Sequence, residues 1–144
     1  MAKSVQLEVI TPSKLFYKGN VELVIVRTLL GDEGFMANHA WATKLLVAGE
    51  LWIQEAGSKD FKIAALAGGY VDVRQNIVIY TDAAEWPEQI DVKRAEEEKA
   101  KAEAWLKEHP VEEDEEKYLD LARRAVAKAV NRMNVQGGGK RRKK

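Results

Sequence analysis

Apolar residues recur at every second position through most of the first half of the chain. The alternation is clean over residues 5–9 and 21–25 and returns in short runs as far as Tyr80. This is the period of a half-buried β-strand. Turn-forming residues separate the runs, among them those at 31–34, 49–50, 68–69 and 75–76. Short strands at this spacing favour antiparallel sheets packed face to face, so residues 1–84 are predicted to form an all-β sandwich.

Beyond residue 90 the apolar residues recur every three or four positions, the period of an amphipathic helix. Asp91 is predicted to cap the first helix, because its side chain can accept hydrogen bonds from the free amides of the first turn. His109-Pro110 stops this helix, and a second one, acidic at its start and basic toward its end, runs as far as Gly137. The short connection predicts an antiparallel α-helical hairpin. The predicted units are the sandwich, a linker at 85–89, the hairpin at 90–136 and a basic disordered tail at 137–144.

The predicted contact between the two helices consists mainly of alanines. The facing residues are Val92, Ala95, Ala102 and Leu106 in the first helix and Tyr118, Ala122, Ala125, Ala129 and Met133 in the second. A buried methyl group contributes roughly 0.8 kcal/mol, against roughly 1.5–3 kcal/mol for a large aliphatic side chain. We therefore expect a marginal hairpin that opens at small cost. The alternative is a helical cap that stays permanently on the sandwich.

Composition narrows the class of protein. The chain has 144 residues, of which 46% are hydrophobic, and it contains no cysteine. The hydrophobic content is typical of a globular protein, and the missing cysteines exclude disulfides, thiol nucleophiles and cysteine metal sites. We find no apolar run of the kind that crosses a bilayer or forms a signal peptide. Membrane association is therefore expected only through a partner.

Charge is distributed unevenly along the chain. Basic and acidic residues number 23 each, yet the basic ones alone continue beyond residue 120, at Arg123, Arg124, Lys128, Arg132 and 140–144. This asymmetry predicts that the last helix seeks an acidic surface. No aromatic residue interleaves the final basic run, and nothing beside it could contact base edges, so no nucleic-acid partner is expected.

No catalytic or metal-binding residue is expected. The two histidines, His39 and His109, are too few and too far apart for a metal cluster, and no phosphate-binding glycine loop is present. Serine and threonine occur without a nearby histidine and aspartate in a recognisable order. The residues thus indicate an interaction and switching module rather than an enzyme. The alternative is a free-standing sandwich that binds a small ligand under a helical lid.

Three stretches of this chain resemble the epsilon subunit of the bacterial F-type ATP synthase, and the resemblance extends over nearly the whole chain. They are Gly68-Gly69 with the turn at 75–76, the helix entry Ile90-Asp91-x-x-Arg94-Ala95, and Gly31 and Gly34 followed by His39. The resemblance implies a non-catalytic rotor subunit of the central stalk that couples ion translocation to ATP synthesis and requires no cofactor. The sandwich would hold the gamma subunit and the c ring at the cytoplasmic face of the membrane. The hairpin would open toward the alpha and beta subunits and inhibit ATP hydrolysis.

The helix entry also looks like the ATP-binding motif of some bacterial members of that family. The resemblance assigns to ATP the residues Glu85, Ile90, Asp91, Arg94, Lys128 and Arg132, with Lys101 at a further family arginine position. ATP would then be a regulatory ligand that favours the folded hairpin. Lysine supplies charge without the planar fork of arginine, so weakened ATP binding is expected. Without a ligand, Asp91 acts as a cap, Ile90 as a hydrophobic staple and Arg94 as an ion-pair partner of Glu85, Glu97 or Glu98.

The resemblance implies two further surfaces. Asp32 and His39 would contact the c ring; the alternative is a turn with a solvated aspartate and a half-buried histidine. An inhibitory basic helix face, made of Arg123, Arg124, Lys128 and Arg132, would contact an acidic loop of the beta subunits. The alternative for these four residues is a solvated helix face.

Overall fold

The computed structural model describes residues 3–108 and 116–138, and the chain divides into two compact units, Met1–Trp86 and Pro87–Lys144. The first unit holds all the strands of the described chain and the second holds its two long helices. The predicted fold class, an all-β sandwich followed by an α-helical hairpin, is confirmed.

The first unit is a seven-stranded sheet. Its strands are β1 (Val5–Ile10), β2 (Leu15–Thr28), β3 (Gly31–Phe35), β4 (Ala42–Glu55), β5 (Phe61–Val73), β6 (Ile77–Tyr80) and β7 (Ala84–Glu85). The main order is β1-β6-β5-β4-β2-β3, with β7 beside β5. β1 also pairs with β2, so the strand path closes around a shared core. The β1–β6 pair is parallel and the other pairs are antiparallel.

Alternate residues of the strands fill that core, as the sequence pattern predicts. In β1, Val5, Leu7 and Val9 are buried while the residues between them are partly exposed. The same alternation occurs in β6, where Ile77 and Ile79 are fully buried. In β4 and β5, by contrast, residues 49–53 and 63–66 are buried in succession, so both faces of these strands are covered there. Burial of large aliphatic side chains stabilises this unit.

Three of the four turns named above are wrong. Residues 49–50 and 68–69 lie inside the long strands β4 and β5. Gly69 has a backbone φ of 119°, and a Cβ atom there would overlap the Tyr80 carbonyl oxygen. The glycine therefore allows β6 to approach β5 closely and does not reverse the chain. Residues 31–34, also predicted as a turn, begin β3, and the hairpin turn falls at Leu29-Leu30 instead.

Trp86 ends the first unit in an aromatic cluster. Its ring stacks on Phe16 with centroids 4.5 Å apart and meets the edge of Tyr17 at 6.2 Å. The Tyr17 hydroxyl donates to Glu55 Oε2 at 2.9 Å, and Lys62 Nζ lies 2.9 Å from Glu55 Oε1. Burial of Tyr17 and its hydrogen bond to Glu55 raise the pKa of the phenol. Residues 85 and 86 of the predicted linker thus belong to the sandwich unit, as part of β7 and as this aromatic anchor.

The second unit begins with a 3-10 turn, Pro87–Gln89, followed by α1 (Val92–Glu108) and α2 (Glu116–Gln136). The start of α1 lies beside the end of α2, as an antiparallel hairpin requires; Arg132 of α2, for example, contacts Glu98 of α1. Gly138, with φ 100°, follows α2 and donates its amide to the Val135 carbonyl. The predicted stop at His109-Pro110, most of the acidic start of the second helix and tail residues 139–144 lie outside the described residues.

Five residues of the described hairpin are buried, and two of them are alanines. Ala95 and Ala129 are buried, as predicted, together with Ile90, Asn131 and Val135. Val92, Ala102, Leu106, Ala122 and Met133 are half-buried, Ala125 is exposed, and the Tyr118 side chain lies outside the described part of the chain. Val135 was not among the predicted facing residues, because it stands two positions after Met133 and outside the period of the alanines.

Candidate functional site

The candidate site is a cluster of charged side chains near the start of α1 and the end of α2. Arg94 Nε lies 3.1 Å from Glu98 Oε1, and Arg132 Nη1 lies 3.4 Å from Glu98 Oε2. Arg94 and Glu98 meet because residues four apart share one helix face. Arg132 reaches the same carboxylate from the other helix. The structure thus brings two of the predicted ATP residues, Arg94 and Arg132, to one carboxylate.

Solvent access decreases across this cluster. The side chains of Arg94, Glu98 and Arg132 are 71%, 46% and 19% exposed. The outer guanidinium is therefore open to an incoming anion, while the inner one is largely fixed by its surroundings. A guanidinium offers paired N–H donors that fit carboxylate and phosphate oxygens equally well.

Asp91 caps α1, as predicted. Its Oδ1 accepts the backbone N–H of Arg94 at 3.1 Å, and its carbonyl accepts the amide of Ala95 at 3.0 Å. The negative charge lies at the positive end of the helix, where the macrodipole favours it. The Asp91 carboxylate therefore has a structural role whether or not a nucleotide binds.

The remaining predicted ATP residues have different surroundings. Ile90 is buried, and its amide donates to the Pro87 carbonyl at 3.2 Å. Lys128 is exposed on α2, one turn before Arg132. Glu85 ends β7 and belongs to the first unit. The assignment of these residues to ATP stays a prediction.

A groove of about 490 Å³ opens between the helices beside Glu98. Its lining residues are Glu98, Lys101, Ala102, Trp105, Leu121, Ala122 and Ala125. The groove exists because alanines on both helices leave room that larger side chains would fill. Sequence reasoning did not single out Trp105, although a large aromatic residue in a charged, alanine-rich helix was a visible signal.

The predicted inhibitory face of α2 is only partly solvated. Arg123, Arg124 and Lys128 are exposed. Arg124 Nη2 lies 2.9 Å from Asp120 Oδ2, one turn earlier on the helix. Arg132, in contrast, is mostly covered and contacts Glu98. The four residues therefore divide into an exposed basic surface, formed by Arg123, Arg124 and Lys128, and one arginine engaged within the hairpin.

The residues predicted to contact the c ring lie on and after β3. Asp32 pairs across the hairpin with Arg27, whose Nε lies 3.2 Å from Oδ1. His39 is exposed; its ring meets the edge of Phe35 at 4.9 Å, and Nδ1 lies 2.7 Å from the Ala40 carbonyl oxygen. The alternative expectation of a half-buried His39 is wrong, because its side chain is exposed. Both residues are accessible to a partner.

Neither a metal site nor a membrane span emerges from the described ranges. Among residues 3–108 and 116–138, no group of histidine, aspartate and glutamate side chains is arranged to hold a metal ion. The helices in this part of the chain are not long and apolar enough to cross a membrane.

Two protein-family models match this chain in tandem. The beta-sandwich domain of the ATP synthase delta/epsilon chain matches residues 4–87, and the long alpha-helix domain of the same chain matches residues 88–137. The boundary between the two matches falls within one residue of the end of the sandwich unit at Trp86.

Curated relatives are similar over almost their full length. The ATP synthase epsilon chain of Alkaliphilus metalliredigens is 40% identical over 136 residues, which are 94% of this chain and 97% of the relative. That of Bacillus pumilus is 36% identical over 136 residues, covering 94% and 98% of the two chains.

Solved structures show the same fold at low sequence identity. A chain of the Euglena gracilis mitochondrial ATP synthase, from an OSCP/F1/c-ring structure, matches with a TM-score of 0.72 at 20% identity, covering 86% of this chain and 76% of that chain. A chain from the central stalk and c ring of the Tetrahymena thermophila mitochondrial ATP synthase matches with a TM-score of 0.64 at 16% identity, covering 91% and 97%.

Proposed function

Because this chain belongs to the ATP synthase epsilon chain family, we propose that it is a non-catalytic subunit of the central stalk that couples ion translocation to ATP synthesis. The observation that carries the proposal is the match of both units, the sandwich over residues 4–87 and the helices over residues 88–137, to one family. In this proposal the sandwich serves assembly and the helical unit serves regulation.

The sandwich is assigned to assembly with the gamma subunit and the c ring. Exposed Asp32 and His39 supply the polar contacts to the c ring in this proposal. The complex would lie at the cytoplasmic face of the membrane, and this chain would be held there peripherally through its partner subunits.

The hairpin is assigned to inhibition of ATP hydrolysis by the alpha and beta subunits. Because buried alanines contribute little free energy, opening the hairpin should cost little. The exposed basic surface of α2 could then bind an acidic loop of the beta subunits. ATP would favour the folded hairpin by binding it and not the open form. The proximity of Arg94 and Arg132 supports this regulatory site, since both guanidinium groups can bind phosphate oxygens.

Reconstitution of the ATPase tests the division of roles. We compare the full chain with a chain ending at Trp86, since removal of Trp86 would also remove its stack on Phe16. The shortened chain should still assemble, and hydrolysis should rise at low ATP. A shortened chain that assembles and leaves hydrolysis unchanged would contradict the inhibitory role. A full chain that elutes alone would favour the free-standing ligand-binding alternative.

A charge variant locates the inhibition on α2. Arg123, Arg124 and Lys128 are replaced together by Ala, while Arg132 is kept because it contacts Glu98 within the hairpin. Inhibition should weaken without loss of assembly, and alanine preserves helix propensity. The matched control replaces Lys93, Lys99 and Lys107 of α1, which removes the same charge from the other helix. Equal effects of the two variants would mean that net charge, and not this surface, governs inhibition.

A further inference from the structure

Glu98 lies where a bound phosphate group would be expected at the proposed ATP site. Its two carboxylate oxygens are used separately, one toward Arg94 at 3.1 Å and the other toward Arg132 at 3.4 Å. We propose that Glu98 is a built-in competitor for phosphate: it engages the two arginines without nucleotide and sets the ATP affinity of the hairpin. This inference rests on the proposed regulatory ATP site.

The charges of the cluster support competition. Two guanidinium groups and one carboxylate leave a net charge of +1, so the site attracts an anion but already contains one. A carboxylate and a phosphate use the same N–H donors of arginine, so both cannot engage the same donors at once. An incoming phosphate must therefore displace Glu98 from the two arginines, or bind them beside the Glu98 carboxylate and be repelled by it.

The exposure of Glu98 makes displacement feasible. Its side chain is 46% exposed, and that of Arg94 is 71% exposed. Ion pairs in such solvent contact are weak, so water can take the place of the arginine when Glu98 swings away. The adjacent groove, which Glu98 also lines, gives the displaced side chain and an incoming ligand room to move.

In the ligand-free hairpin Glu98 links the two helices, and in the ATP-bound hairpin a phosphate group would take over this role. Its contact with Arg132 joins α1 to α2 where the packing relies on small residues such as Ala95 and Ala129. Removing the carboxylate should loosen the hairpin without ATP and strengthen its response to ATP. The residue thereby sets the ATP concentration at which the hairpin closes.

Calorimetric titration of the full chain with ATP tests the competition. Glu98→Gln keeps the side-chain length and removes the negative charge, and Glu97→Gln makes the same charge change on an exposed neighbour. We expect E98Q to bind ATP about threefold more tightly than the unchanged chain, on the scale of removing a weak competing ion pair. E97Q should remain within about twofold, since Glu97 is exposed and the carboxylate that both arginines contact is that of Glu98.

The helix signal in circular dichroism provides the second measurement. Without ATP the hairpin of E98Q should melt at a lower temperature than that of the unchanged chain, and saturating ATP should restore it. ATP binding that is equal or weaker in E98Q would overturn the competition while leaving the proposed ATP site intact. No ATP binding by any of the three proteins would overturn the regulatory ATP site and this inference together.

Discussion

The two units of this protein are packed in different ways. The sandwich core contains large aliphatic side chains with no exposed surface, among them Leu51, Ile53 and Ile77. The described hairpin has five buried residues, two alanines, the polar Asn131 and only two larger aliphatic ones, Ile90 and Val135. Each alanine methyl contributes about a third of what a large aliphatic residue does. The difference indicates that one unit is a scaffold and the other is adjustable.

Charges play different parts in the two units. In the sandwich, pairs such as Arg27 with Asp32 and Lys62 with Glu55 join strands that a hydrophobic core already holds. In the hairpin, the bridge from Arg94 through Glu98 to Arg132 joins helices whose own packing is weak. A change of ligand or ionic strength should therefore affect the hairpin more than the sandwich.

The strongest test of the comparison is truncation of the sandwich core. Leu51→Ala should lower the free energy of unfolding by about 3–5 kcal/mol, because the side chain is fully buried and leaves a cavity. Urea unfolding followed by tryptophan fluorescence measures it. Leu45→Ala in the same strand is the matched control, since Leu45 is 65% exposed, and should cost less than about 0.5 kcal/mol. Similar costs for both would contradict the core assignment.

A smaller effect is expected where two strands approach closely. Gly69→Ala should cost about 2–4 kcal/mol, combining an unfavourable positive φ with the overlap on the Tyr80 carbonyl. Gly57 also has a positive φ, 81°, but nothing lies within 4 Å of its hypothetical Cβ. Gly57→Ala therefore isolates the backbone cost, about 1–2 kcal/mol. If the two alanines cost the same, the close approach contributes nothing.

The sequence predicted the sandwich because alternation is a local signal, but it could not tell a turn glycine from a packing glycine. Gly69 is needed because Tyr80, eleven positions later, pairs with Tyr70 and brings its carbonyl against the backbone. The predicted short strands are joined into β4 and β5, because Gly49, Glu50 and Gly69 pair within the ladder between these two strands. Only the strand pairing, which is tertiary, shows which of the two roles a Gly-Gly pair has.

The candidate site was likewise predicted in part. The helical spacing placed Glu98 among three candidate partners of Arg94, together with Glu85 and Glu97. The capping role of Asp91 followed from its position before the helix. The contact of Glu98 with Arg132 spans 34 positions and depends on how the helices pair, so the sequence did not indicate it. For the same reason the predicted basic stripe did not distinguish the engaged Arg132 from the exposed Lys128.

The smallest expected effect is the pH dependence of the ion pair between Glu55 and Lys62. It tests the contrast between the two units, because a surface ion pair should contribute little to the stability of a sandwich that its core already stabilises. Hydrogen bonds from Lys62 and Tyr17 lower the pKa of Glu55 from 4.5. A carboxyl group whose pKa is lower in the folded protein than in the unfolded chain stabilises the fold above the unfolded pKa, about pH 4.5. This stabilisation is lost as the pH falls through the lower pKa of the folded protein. The gain should stay below about 1 kcal/mol, since the side chains of Lys62 and Glu55 are 54% and 38% exposed.

Urea unfolding of the full chain between pH 7 and pH 3 checks this sign. The unchanged chain should exceed Glu55→Gln in stability by a constant amount above pH 5.5, and the difference should shrink below pH 4.5 because only the carboxylate is protonated there. Lys62→Gln removes the partner and should give a smaller loss over the same range. A difference that grows on acidification would show that Glu55 is held in its neutral form, opposite to the pairing with Lys62. A difference of several kcal/mol would show that the sandwich depends on a surface charge pair as strongly as on its core, and the contrast between the two units would then fail.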